Sequence, residues 1–148
     1  MEIAKTLESN VPSLLKTPSF ASLGVRPDLV AALTAMSITS PSEIQQKAIP
    51  DILAGCDCIG SSHTGSGKTV AFAIPVLQAL AKDPISCFCL ILTPTRELAF
   101  QIGSQLKVLG SLAVPGFSYI VIVGGMDMMS QSLELNKRPQ LSLLHRVE

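Results

Sequence analysis

Six consecutive residues, Thr64-Gly65-Ser66-Gly67-Lys68-Thr69, carry the strongest chemical signal in this chain. Glycines let backbone N–H groups turn inward without a Cβ clash, and such groups at the start of a helix cradle phosphate oxygens. Lys68 adds a full positive charge near the β and γ phosphates. Thr69 offers a hydroxyl to a Mg²⁺ ion that bridges the same phosphates. Ser62 stands five residues before Gly67, where the general pattern has glycine, and it fits there if its backbone avoids positive φ. The candidate nucleotide-binding segment is therefore Ser62, His63, Thr64, Gly65, Ser66, Gly67, Lys68 and Thr69, with Lys68 and Thr69 the catalytic candidates. The His63 side chain is expected in solvent.

Such a loop works only between a strand and a helix, and the flanking sequence supplies both. A short strand is expected over Cys56–Gly60 and an apolar helix over Gly67–Ala81, kinked or broken at Pro75. Upstream, Leu29, Leu33 and Met36 mark one helical stripe beginning near Pro27. Ile44, Ala48 and Ile52 mark a second, ended by Gly55. Ser42 lies three residues before Gln45, the spacing of a capping box. Downstream, Cys87–Thr93 has the continuous apolar character of a parallel strand buried on both faces. A helix over Thr95–Leu109 follows, then a strand over Tyr119–Val123. The Gly124-Gly125 turn, a helix over Asp127–Leu135 and the beginning of a further strand at Leu141–Leu144 complete the pattern. Strands alternating with helices predict an α/β fold with a parallel sheet flanked by helices.

Composition narrows the class. The chain has 148 residues, is 47% apolar and 15% charged, and has zero formal net charge, so it can bury a core but carries no bulk basic signature of nucleic-acid binding. The longest apolar run, Cys87–Leu92, is far too short to span a bilayer, and no secretory signal is evident, which points to an intracellular protein without a membrane partner. Cys56/Cys58 and Cys87/Cys89 have the i,i+2 spacing of one strand face. Buried free thiols are expected in preference to a zinc site.

Several segments around the loop resemble the DEAD-box ATP-dependent RNA helicases. Pro41-Ser42-Glu43-Ile44-Gln45 is similar to the family's Q motif. Phe20 lies 17 residues before Ser37, the spacing of that family's isolated upstream aromatic. The resemblance implies that Gln45 pairs with adenine and that Phe20 packs on the base. Pro94-Thr95-Arg96-Glu97-Leu98-Ala99 resembles motif Ia, and Gly124-Gly125 the family's GG element. By that likeness Pro94, Thr95, Arg96, Gly124 and Gly125 hold an RNA backbone. The implied fold is an incomplete RecA-like domain: a leader over 1–17, a Q-motif region over 18–46 and a truncated ATP-binding domain over 47–148. The implied cofactors are ATP and Mg²⁺; the implied partners are RNA and helicase cofactor proteins. The runs Ile49–Leu53, Leu90–Ala99 and Gly124–Met129 look closest to the nucleolar helicases of ribosome biogenesis, which implies a nuclear, nucleolar location.

The resemblance covers Phe20 to Pro139. The family continues with a strand, Thr-Pro-Gly-Arg and the Asp-Glu-Ala-Asp box, whereas the sequence here reads Gln140 to Glu148 without either run. In the family, the first Asp of the box helps hold Mg²⁺, its Glu positions the attacking water, and arginines of a second domain stabilise the developing charge. The expectation is a chain that binds nucleotide without turnover, arising from a truncated gene model, a retained intron or a frameshift near Gln140. A sheet lacking strands is further expected to leave a hydrophobic edge uncovered.

Overall fold

The upstream helical stripes form α1 (Pro27–Ala35) and α2 (Glu43–Leu53) in the computed structural model, which describes residues 18–145. The leader assigned to residues 1–17 lies outside the described residues. Pro27 occupies the first turn of α1, where its missing N–H costs nothing. Gln45 Oε1 accepts a 2.9 Å hydrogen bond from Ser42 N, forming the expected capping box at the start of α2. The helix after the phosphate-loop sequence is α3 (Lys68–Lys82), and Pro75 lies inside it without ending it. Ile74, Leu77 and Leu80 are fully buried on both sides of that proline, so core packing holds the two halves together.

The sheet has three parallel strands: β1 (Cys89–Thr93), β2 (Tyr119–Ile122) and β3 (Leu141–His145). Their order is β1-β3-β2, so the segment that looked like the start of a strand is the centre of the sheet. Leu141 pairs in register with Cys89 on one side and Tyr119 on the other. Leu141 and Leu143 alternate into the core and are fully buried. Helices α4 (Arg96–Ala113) and α5 (Met128–Asn136) make the two crossovers. Leu106 and Leu109 of α4 join Leu29, Leu33, Ile74 and Leu143 in one core. Gly103 and Gly110 let this helix approach its neighbours: a Cβ on Gly103 would stand 2.8 Å from the Tyr119 ring.

Three expectations require correction. Cys56–Gly60 forms no strand, and Ile59 is fully exposed. A strand exists through hydrogen bonds to a neighbour, and none of the three described strands pairs with this segment. Second, β1 is not buried on both faces: Leu90 and Leu92 are 58% and 73% exposed. The strand occupies one edge of the three-stranded sheet. Third, the thiols are free but not buried. Cys56, Cys58 and Cys87 are exposed and Cys89 is partly covered. Among the described residues, no cluster of His, Cys, Asp or Glu could hold a metal, and no helix is long and apolar enough to cross a membrane.

Candidate nucleotide and RNA site

The glycine-rich turn folds as a loop over the N-terminus of α3. Gly65 and Gly67 have φ of +82° and +86°, the left-handed region that glycine enters without strain. Gly67 is also required by contact: a Cβ there would lie 2.3 Å from Gln45 Nε2. The Lys68 ammonium closes the loop on itself, donating to Ser62 O at 2.6 Å and His63 O at 2.8 Å. His63 thus contributes its carbonyl, which also accepts from Ser66 N, while the residue as a whole is exposed as expected.

The Q-motif region braces this loop from the side. Ser42 Oγ donates to Ser66 O at 2.7 Å, and Gln45 Nε2 donates to Gly67 O at 3.1 Å. The buried Gln45 amide therefore joins the cap of α2 to the N-cap of α3. One of its N–H groups and one of its lone pairs remain for a ligand. Ser42, Gln45, Thr64, Gly65, Ser66, Gly67, Lys68 and Thr69 line a cavity of about 570 Å³. Backbone N–H groups, the positive end of a 15-residue helix and the Lys68 ammonium, held by the loop carbonyls, converge there, so the donor set fits a polyphosphate. The Thr69 hydroxyl, on the same wall, is where Mg²⁺ would be held with the phosphates.

Phe20 is not on that wall. It is 2% exposed and packs in the core with Val25 and Leu29, so its ring has no open face for a base. The segment that carries it is tied to α3 by Gln78, whose amide donates to Gly24 O and accepts from Arg26 N, both at 2.9 Å. Sequence reasoning missed this buried glutamine because nothing in its spacing separates it from a solvated helix residue.

The second group of candidate residues gathers at the carboxyl ends of the parallel strands, the edge where such sheets bind ligands. Pro94 and Thr95 follow β1. Thr95 Oγ1 caps α4 by accepting from Leu98 N at 3.2 Å. Thr93 Oγ1, buried beneath, bonds to Thr95 O at 3.0 Å and Leu144 O at 3.3 Å, fixing the turn to the central strand. Gly124 and Gly125 follow β2. The Gln131 amide pairs with both backbone groups of Val123, at 2.9 Å and 3.2 Å, and so holds the start of their turn. Arg96 lies beside Gly125, close enough that a Cβ built on Gly125 would stand 3.2 Å from Arg96 Nη1. An exposed guanidinium, a helix N-terminus and an open backbone turn share one surface, which can hold a phosphodiester strand.

Comparison with known proteins gives a consistent result. The profile of the DEAD/DEAH box helicase family matches residues 42–145. The match runs past Pro139, where the sequence resemblance stops, and takes in the whole of β3. The chain is 51% identical over 123 residues to ATP-dependent RNA helicase dbp8 of Emericella nidulans, covering 83% of this chain and 23% of that protein. It is 50% identical over 123 residues to dbp8 of Schizosaccharomyces pombe, covering 83% and 27%. Against human DDX49 it is 49% identical over 122 residues, covering 82% and 25%. Among solved structures, the RNA helicase Prp28 from Chaetomium thermophilum bound to ADP aligns with a TM-score of 0.77 at 30% identity, over 91% of this chain and 33% of that one. A hypothetical ATP-dependent RNA helicase from Sulfolobus tokodaii aligns with a TM-score of 0.70 at 29% identity, over 80% and 33%. The chain spans about a quarter of the length of the curated relatives it matches.

Proposed function

Since the chain belongs to the DEAD/DEAH box helicase family, with a RecA-like α/β fold, we propose that its loop cavity binds ATP or ADP with Mg²⁺ and that its strand-end surface binds an RNA backbone. The observation that carries the proposal is the loop itself: left-handed Gly65 and Gly67 set the Lys68 ammonium and the α3 N-terminus around one cavity. Lys68 and the loop N–H groups hold the β and γ phosphates. Bound Mg²⁺ supplies charge neutralisation between those phosphates, with Thr69 as its contact from this chain. Gln45 braces the loop and offers its remaining N–H and lone pair to the adenine edge. The ADP-bound state of the Prp28 structure supports the nucleotide half of the proposal.

RNA is held through its backbone by Pro94, Thr95, Arg96, Gly124 and Gly125, and therefore with little sequence preference. At the level of the whole protein, the names of the relatives support an ATP-dependent RNA helicase, a hydrolase acting on ATP; helicase cofactor proteins as partners are implied by the family resemblance alone. The likeness of the Ile49–Leu53, Leu90–Ala99 and Gly124–Met129 runs to nucleolar helicases supports a role in ribosome biogenesis in the nucleus.

The 148-residue chain itself binds nucleotide without turnover. No Asp or Glu lines the loop cavity among the described residues, and the sequence contains no Asp-Glu-Ala-Asp run. Nothing in the cavity can then orient an attacking water as a carboxylate would. The alternative reading at chain level is a regulatory fragment that competes with a full-length helicase for nucleotide or RNA, and the same absence of a carboxylate favours it. Titration of the purified chain with fluorescent ADP and Mg²⁺, beside Lys68→Ala, tests the proposal. Saturable binding that the substitution removes is expected; a soluble, folded chain without binding would overturn it.

A further inference from the structure

Two exposed thiols, Cys56 and Cys58, stand two residues apart on the segment that leads into the phosphate loop. Cys56–Gly60 forms no helix, strand, turn or bend. Among the described residues its one backbone hydrogen bond runs from Cys56 N to Asp51 O, at 3.0 Å, and ties it to the last turn of α2. No group of His, Cys, Asp or Glu among the described residues could hold a metal, so the thiols have no such partner.

The segment joins two anchors of the nucleotide site. Upstream, α2 carries Gln45, whose amide donates to Gly67 O. Downstream, Ser62 and His63 supply the carbonyls that receive the Lys68 ammonium. Cys58 also lines a second cavity, of about 620 Å³, together with Lys68 and Thr69. A change in the path of this segment therefore acts on the phosphate loop.

Covalent geometry keeps the two thiols close. Two peptide units hold the Cα atoms of Cys56 and Cys58 no more than about 7 Å apart. A disulfide spans about 4.4–6.8 Å between Cα atoms, so a bend at Asp57 is enough to bring them into range. In a paired strand that bend would break ladder bonds, but none of the described strands pairs with this segment. A bridge across one intervening residue is strained, and strained or exposed disulfides are the readily reduced, regulatory kind.

We infer that Cys56 and Cys58 form a reversible dithiol–disulfide pair that controls the nucleotide site. One thiolate attacks a low-molecular-weight disulfide such as oxidised glutathione, forms a mixed disulfide and releases one thiol. The second thiolate attacks the protein sulfur of that mixed disulfide, closes the Cys56–Cys58 bond and releases the second thiol. The pair gives up two protons and two electrons, which reduce the small disulfide to two thiols. The closed form bends the segment, draws the Ser62 and His63 carbonyls from Lys68 and loosens the loop. This role rests on the nucleotide proposal above and adds regulation to it.

The test treats the 148-residue chain with oxidised glutathione, maps its thiols by peptide mass and titrates it with fluorescent ADP and Mg²⁺. The tryptic peptide Ala48–Lys68 holds both cysteines and is expected to become lighter by two hydrogens. ADP affinity is expected to fall about tenfold, and a dithiol reductant to restore it. Cys58→Ser is expected to bind ADP like reduced wild type and to keep that affinity through oxidation, with Cys56 stopped at the mixed disulfide. Failure of the bridge to form overturns the inference, as does a bridge that leaves ADP affinity unchanged. An equal loss in oxidised Cys58→Ser also overturns it, because the effect then lies at another thiol. Reduced wild-type chain that binds ADP no better than Lys68→Ala would bring down the nucleotide proposal and this inference together.

Discussion

Arg96 and Gly125, 29 positions apart in sequence, lie side by side: a Cβ built on Gly125 would stand 3.2 Å from Arg96 Nη1. Gly125 also has φ of +77°, so both its conformation and its lack of a side chain serve this junction. Gly125→Val should strain the turn and displace the guanidinium. Arg96→Ala should remove one phosphate contact, weakening a single-stranded RNA about three- to tenfold and lowering the slope of log affinity against log salt by about 0.7. Fluorescence anisotropy with a labelled oligouridine at several salt concentrations measures both. An unchanged slope in Arg96→Ala would remove Arg96 from the RNA surface.

Gln45 reaches Gly67 across 22 residues of sequence, which makes it a structural as well as a ligand-facing residue. Gln45→Ala should cost about 1–3 kcal/mol of stability, since it removes half of a capping box and the side-chain donor to Gly67 O, which keeps only its bond from Ala71 N. Urea denaturation reads the loss. Gly67→Ala should eliminate ADP binding, because the new Cβ meets the Gln45 amide at a backbone angle that alanine avoids. A Gly67→Ala chain with wild-type ADP affinity would contradict the loop geometry.

Nucleotide binding and hydrolysis should separate. The 148-residue chain should release phosphate from ATP at the background rate, with or without RNA, while still binding ADP. A phosphate-release assay decides the point. Turnover that RNA stimulates and Lys68→Ala abolishes would show that a catalytic group has been overlooked.

The four thiols should divide by exposure. Cys56, Cys58 and Cys87 are accessible and should react promptly with a maleimide under native conditions. Burial pushes the Cys89 thiol up from its ordinary range, which lowers its thiolate fraction at neutral pH. Cys89 should label slowest and gain reactivity as pH rises. Mass spectrometry of peptides after timed labelling checks the order; prompt labelling of Cys89 at pH 7 would contradict its packing against the core.

Helix α5 should loosen in acid. Asp127 caps it, accepting from the Ser130 hydroxyl and the Ser130 backbone N–H, and these bonds hold its carboxyl below the ordinary aspartate range. A depressed folded value means the contribution is complete above the unfolded aspartate value and disappears as pH falls through the folded one. Amide exchange in α5 should accelerate over that acid interval in wild type. Asp127→Asn should show no such dependence; an identical pH profile in the two proteins would remove Asp127 as its cause.

Local pattern carries a residue a long way and then stops. The loop from Thr64 to Thr69, the capping box at Ser42 and Gln45, and the stripes of α1 and α2 are legible because spacing along a chain is a local property that backbone geometry turns directly into helices and turns. Parallel alternation, and with it an α/β fold, follows in the same way. Partnership is different, because it depends on what comes near in space. Leu141–His145 could be seen as strand-like, yet only assembly made it the central strand, since register comes from two neighbours 22 and 52 residues upstream. Cys56–Gly60 has strand composition but pairs with none of the described strands, so it forms no regular element and is exposed. Phe20 stands at the spacing of a base-stacking aromatic, and only the tertiary structure shows its ring buried in the core. Sequence by itself determined which groups could hold a phosphate, because those groups are contiguous. Tertiary structure decided that Gln45 braces the loop and that Arg96 lies beside Gly125, because hydrogen bonds and packing act over a few ångströms of space whatever the distance along the chain.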